Sequence, residues 1–143
     1  MRLRLTEVKY MGYVLTSQGV KPDPAKLDAV TQMSEPTDKK GVQRLIGCVT
    51  YLSKFMPNLS ETAELPRRFT DKEAHVDWLP HHAEAFMKIK QAISTAPVLK
   101  YFDLNEDAVI QCDASESGLG ATLLQQGRPD TFASRVLTKT ERN

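Results

Sequence analysis

Between Lys39 and Met56 the apolar residues Val42, Leu45, Ile46, Val49, Leu52 and Met56 recur at spacings of three and four. That period places them along one side of a helix and makes a core-facing stripe. The pattern predicts a helix from about Asp38 to Phe55, with Thr37 as its cap after Pro36 closes the preceding unit. A shorter helix comes first. In "KPDPAKLDAVTQM" Asp23 stands at the N-cap and Pro24 in the first turn, and Leu27, Val30 and Met33 face one way. A further helix is expected from about His82 to Thr95, with Phe86, Ile89 and Ile93 inward and Pro97 just beyond its end. The stretch from Pro57 to Pro80 is less regular. It suggests a short helix around Leu59 to Arg68 and a lone Trp78 that anchors the loop by burial.

The two ends of the chain follow a different period. Leu5 to Thr16 alternates as a strand does, with Met11-Gly12-Tyr13 in its middle, where a glycine implies a bend or a close backbone approach. "SQG" then turns the chain, and Val20 opens an exit segment. From Ala108 strands are expected over Val109–Asp113, Leu119–Gln125 and about Thr131–Val136, with "QGRP" as the second turn. The fold class is therefore α+β: an N-terminal β-hairpin, a helical middle and an antiparallel three-stranded C-terminal part. In "LTKTERN" Thr138 and Glu141 have the S/T-x-x-E spacing of a capping box, so the sequence is expected to end inside a helix that Thr138 opens.

Composition changes this picture little. The 143 residues, 41% hydrophobic and 26% charged, suit one ordinary domain or two small pieces. Nineteen basic against eighteen acidic residues give +1, so a polyanionic partner can only be argued from local clustering. Cys48 and Cys112 are isolated and are expected to be small buried thiols in a reducing compartment. The start lacks a signal-peptide core, and no apolar stretch approaches the roughly 20 residues of a membrane span. The expectation is an intracellular protein, cytoplasmic or nuclear, neither secreted nor held in a membrane.

"MGYVLTSQGVKPDPAKLDAV", "RLIGCVTYLSKFMPNLSE", "EAFMKIKQAISTAPVLKYFD" and "IQCDASESGLGATLLQQGRP", in this order, resemble the reverse transcriptase/RNase H of gypsy-type LTR retrotransposons. The resemblance spans nearly the whole chain. It implies a palm-end, primer-grip-like hairpin over residues 1–22, a thumb-like region over 23–79, a connecting helix and linker over 80–107 and a truncated RNase H-like domain over 108–143. The parent activities would be RNA-directed DNA synthesis and RNA cleavage in RNA–DNA hybrids, both with Mg2+.

An aspartate at a strand end before Ala-Ser is usually a turn or capping residue. Within the resemblance, "DAS" makes Asp113 the first carboxylate of a two-metal cluster, catalytic and metal-binding. Gly118 and Gly120 then fit a tight hairpin after it, and Ser115 and Glu116 belong to the turn. The remaining carboxylates are missing, Glu141 stands too early to supply one, and no Y-x-D-D occurs. The expectation is a catalytically incomplete chain that does not stably bind Mg2+.

Two binding features survive. Met11, Gly12 and Tyr13 resemble the primer grip, against a plain hairpin with a buried Met and Tyr. Lys40, Arg44, Gly47, Tyr51 and Lys54 share the helix face opposite the apolar stripe. They resemble a thumb helix that tracks template–primer duplex or RNA–DNA hybrid, against an ordinary solvated face. Adjacent His81 and His82 are expected to point apart rather than share a metal.

Leu65-Pro66 and Asp130-Thr131 depart from the family's usual run, and an aspartate near a strand start weakens pairing or burial. An unpaired edge at the strand ending in Asp113, with an underfilled face at Ile110 and Cys112, suggests self-association. The alternatives are a non-enzymatic nucleic-acid or protein-binding module, or a decayed relic.

Overall fold

The computed structural model describes residues 5–57, 59, 78–116 and 118–142. The expected helix around Leu59 to Arg68 and the Leu65-Pro66 departure lie outside them, Leu59 excepted. Leu59 is buried in the core.

The N-terminal part is a three-stranded antiparallel meander rather than one strand and an exit segment. It comprises β1 (Glu7–Tyr10), β2 (Tyr13–Thr16) and β3 (Gly19–Pro22), in that order across the sheet. Met11 and Gly12 have φ of 49° and 83°. Positive φ at both central residues reverses the chain in a two-residue hairpin, so Tyr10 pairs with Tyr13. Leu5 to Thr16 thus folds back on itself.

Helix α1 (Pro24–Thr31) starts as expected: the Asp23 side chain accepts from the Ala25 N–H at 3.1 Å, with Pro24 at the first position. Helix α2 (Lys39–Leu52) is capped by Asp38, whose Oδ1 accepts from the Gly41 N–H at 2.7 Å; Thr37 is not the cap. The helix gives way to a 3-10 turn at Ser53–Phe55. Val42, Leu45, Val49, Leu52 and Met56 are buried, whereas Ile46 is only half-buried. Helix α3 (Pro80–Ser94) begins two residues before the expected start, because Pro80 fits the first helical position. Its Phe86, Ile89 and Ile93 are buried and join Val30, Leu45, Val49, Leu52, Phe55 and Leu99 in one core. Trp78 packs edge-on against Phe86 at its margin.

The C-terminal sheet has the order β4 (Ala108–Ala114), β5 (Gly118–Gln125), β6 (Arg128–Val136). Gln126 and Gly127, at φ 52° and 72°, make its second turn. Ser115 belongs to the first turn: its N–H donates to the Gly118 carbonyl at 2.9 Å. Gly120 does not; it lies within β5 opposite Asp113. The register slips between Leu123, paired with Thr131, and Leu124, paired with Pro129, so Asp130 is the extra residue of a β-bulge.

Several links hold this sheet and the segment before it to the body, among them a bond from the Arg128 guanidinium to the Gln18 carbonyl at 3.1 Å. Val20 and Leu99 exchange backbone hydrogen bonds of 2.8 and 2.9 Å. The Lys100 N–H donates to the Pro129 carbonyl at 2.8 Å. Phe132 packs against the helical core. Strand β4 is exposed along its whole length. Cys112 is accordingly exposed, contrary to the buried thiol expected, since nothing described covers that strand; Cys48 is half-buried.

Candidate nucleic-acid interface and the isolated aspartate

The two candidate binding features, far apart in sequence, meet in space. The Tyr51 hydroxyl donates to the Gly12 carbonyl, and its ring stacks on Tyr13 with centroids 5.0 Å apart and planes 10° from parallel. The Lys54 ammonium lies 3.4 Å from the Tyr13 ring centroid, a cation–π contact. Burial pushes the Tyr51 hydroxyl up from its ordinary pKa.

Gly12 fits this junction for two reasons. It needs positive φ for the turn, and a Cβ there would lie 3.3 Å from Tyr51 Cε2. Met11 projects outward, 77% exposed, which disposes of the buried-Met reading of the hairpin. Tyr13 is half-buried and contacts Phe55 as well as Tyr51.

The face proposed for α2 therefore divides in two. Lys40, Arg44 and Gly47 are exposed, and a Cβ added to Gly47 would meet nothing within 4 Å. No packing within the described chain calls for a glycine there. Tyr51 and Lys54 are half-buried and turned onto the hairpin. Among the described residues Lys40 and Arg44 have no ion-pair partner. Sequence spacing missed Lys26, on α1, whose ammonium lies 6.0 Å from the Tyr51 ring centroid. Only the packing of α1 beside α2 brings it there.

Asp113 sits near the end of β4, exposed, with Oδ1 accepting from the Ala114 N–H at 2.9 Å. Among the described residues no group of three or more His, Cys, Asp and Glu could hold a metal ion. Asp113 by itself does not fit a two-metal centre. Glu141 is committed locally: its carboxylate accepts from the Thr138 N–H and hydroxyl at 2.9 Å each and from Arg135 at 2.9 Å. Those bonds, the Thr138 N–H first, hold its pKa down to about 2. The cap spacing read from sequence is thus half realised: the glutamate accepts from the Thr138 backbone, while the threonine hydroxyl donates rather than accepts. The rings of His81 and His82 lie 4.0 Å apart and do not diverge as expected. His82 Nδ1 accepts from the Leu79 N–H at 3.0 Å, which fixes that ring at the helix start.

The comparisons with known proteins agree with this architecture. Residues 78–143 match the family model of the RNase H-like domain found in reverse transcriptase. The chain is 34% identical over 138 residues to the retrovirus-related Pol polyprotein from transposon 297 of Drosophila melanogaster, covering 96% of this chain and 13% of that one. It is 31% identical over 127 residues to the transposon Tf2-3 polyprotein of Schizosaccharomyces pombe, covering 89% of this chain and 10% of that one. In fold it resembles foamy viral protease-reverse transcriptase, solved in complex with RNA/DNA hybrid: TM-score 0.85, 24% identity, 96% of this chain and 19% of that one. The same enzyme in complex with dsDNA gives TM-score 0.85 and 24% identity, over 98% of this chain and 30% of that one. The chain spans about a tenth of the length of the curated relatives it matches. With an RNase H-like segment after the meander and helices, the chain is similar over most of its length to a stretch of retrotransposon Pol polyproteins, and its residues 78–143 to the RNase H-like domain found in reverse transcriptase.

Proposed function

We propose that this chain is the duplex-handling part of a gypsy-type reverse transcriptase joined to the start of its RNase H-like domain. The β1–β3 meander serves as the end of the palm, α1 and α2 as the thumb, α3 and the following loop as the connection. The Met11–Gly12 turn and the Lys40, Arg44 and Gly47 face of α2 contact the backbone of a template–primer duplex or RNA–DNA hybrid. One observation carries this reading: the exposed cationic face belongs to the same helix that is locked to the hairpin turn through Tyr51. Two cations with no carboxylate partner among the described residues, one turn apart beside an open glycine, suit phosphates approaching the helix closely. Parent activity on RNA–DNA hybrids would use Mg2+ at a carboxylate cluster to which Asp113 contributes. The described residues do not make up that cluster, and no cleavage step is assigned to Asp113 alone.

The test is fluorescence anisotropy with a labelled RNA–DNA hybrid across a salt series. The unaltered chain is expected to bind weakly, with affinity falling steeply as salt rises. Lys40→Glu with Arg44→Glu should remove most of that affinity and flatten the log–log salt dependence by about 2. Lys54 is left in place because it packs on Tyr13. Unchanged affinity and slope in the double variant would reject this face as the contact.

A further inference from the structure

We propose that Tyr51 is a positioning residue: it latches the Met11–Gly12 turn to α2, so that the hairpin tip and the Lys40–Arg44–Gly47 face meet a duplex as one preset surface. This rests on the duplex reading above and adds a device to it. In a two-residue hairpin the carbonyl of the second turn residue has no obligatory partner in the ladder. Here the Gly12 carbonyl accepts from the Tyr51 hydroxyl, 39 residues on. The stacked Tyr13 ring and the Lys54 ammonium over it extend the same contact past the turn. Gly12 leaves no slack, with a Cβ at 3.3 Å from the Tyr51 ring.

The turn has few other anchors. Strand β1 is exposed at all four residues, and Met11 is exposed at the tip. A short β-ribbon is marginally stable by itself, so its outer end is ordered by what it packs against. At this end the packing partners are Tyr51, Lys54 and Phe55, and a further tie nearby is the Lys9–Asp23 ion pair at 3.1 Å, two residues before the turn. A tip held in advance binds without the entropic cost of ordering it on contact.

Tyr51→Phe separates the hydroxyl from the ring. It removes one hydrogen bond and keeps the stacking surface, so α2 should remain folded. Hydrogen exchange and backbone NMR relaxation, measured without nucleic acid, are expected to show loosened residues 11–13 and unchanged protection in α2. With labelled hybrid, affinity should fall by about 3- to 10-fold, the range of one lost hydrogen bond, while the salt slope stays that of the unaltered chain. An equally ordered turn in Tyr51→Phe would overturn the latch. A loosened turn with unchanged affinity would overturn its positioning role. If the unaltered chain itself does not bind, the duplex reading fails and the positioning role with it; that outcome is visible before any variant is made.

Discussion

Gly19 stands so close to Leu99 that a Cβ on it would lie 2.0 Å from the Leu99 carbonyl oxygen. The same oxygen accepts from the Val20 N–H in the bridge that joins the N-terminal meander to the segment before the C-terminal sheet. Gly19 also has φ +141°, a backbone region that side chains rarely enter. Backbone cannot move away there without breaking the bridge. Gly19→Ala is therefore expected to cost roughly 2–4 kcal/mol, as strain plus lost hydrogen bonds. Urea unfolding would show it, and a change under 0.5 kcal/mol, about the level of an ordinary surface substitution, would mean the bridge contributes little.

At Met11 a non-glycine residue occupies a left-handed conformation, φ 49°, with its side chain in solvent. Asn-Gly is the favoured pair for such a turn, so methionine there is locally costly. Met11→Asn should stabilise the chain by about 1 kcal/mol. If the exposed thioether contacts a bound duplex, the same substitution should weaken hybrid binding. Thermal melts and anisotropy on one variant separate the two effects. Lower stability would show that Met11 is held by packing after all.

What could be read from sequence divides by the range of the contact. The apolar stripe of α2 is local and periodic, and Val42, Leu45, Val49, Leu52 and Met56 are buried as read. Asp23 as a cap is likewise a matter of neighbouring residues. Asp38 and Thr37 are both good caps, and only the backbone decides between them. Gly12 marks a bend at Met11-Gly12-Tyr13, but methionine does not suggest a tight two-residue turn and the strands on either side alternate as one, so the separate β1 and β2 are not legible. Spacing puts Tyr51 on the face of Lys40 and Arg44, whereas it packs on the hairpin at the core margin; its partner Gly12 is 39 residues away and no spacing names it. The strand period puts Asp113 at the end of its strand, and it stands near the end of β4.

Gln125 was not legible at all. In "LLQQG" two glutamines are adjacent, yet Gln125 is 0% exposed and Gln126 is in the turn. The buried amide accepts from the Asp103 N–H at 2.8 Å and donates to the Asp103 and Glu106 carbonyls at 2.7 and 3.0 Å. It thereby closes the loop that leads into β4. Gln125→Leu leaves those backbone groups without that partner, for an expected loss of roughly 2–4 kcal/mol. Amide exchange at Asp103 should quicken at the same time, and an unaltered rate there would show that the loop holds itself.

Asp130 is a different case of a buried polar side chain. Both carboxylate oxygens are shielded from solvent without a hydrogen-bond partner among the described residues. Burial raises its pKa, with Lys100 and Arg128 opposing and Glu106 adding to the rise. A carboxyl whose folded-state pKa is raised detracts from stability above that pKa, and the deficit disappears as pH falls through it. Asp130→Asn is thus expected to be the more stable chain at pH 7, by roughly 0.5–1 kcal/mol, because the residue is only part-buried and nearby cations offset the cost. The advantage should shrink toward acid. Denaturant melts at pH 7 and at pH 4 read both signs, and a variant less stable at pH 7 would mean that the carboxylate is paired in solution.

The outer edge of β4 carries the last expectation. Ala108–Ala114 pairs with β5 on one side and with nothing described on the other, and Val109 and Ile110 are 59% and 69% exposed. No proline, lysine or bulge blunts this edge, whereas the bulge at Asp130 lies on the far strand. A three-stranded sheet tied to the rest of the chain through β6, at Arg128, Pro129 and Phe132, should open readily at its opposite, free strand. In a dilute monomer, hydrogen exchange through Val109–Asp113 is therefore expected to be far faster than in α2. As concentration rises, the edge should pair with another copy, and sedimentation should show mass increasing with it. Ile110→Lys, which places a charge on the edge, should suppress that association and leave α2 protection unchanged. Slow exchange along β4 in a demonstrated monomer would show that the sheet completes itself, and a mass independent of both concentration and Ile110→Lys would show that the edge stays unpaired.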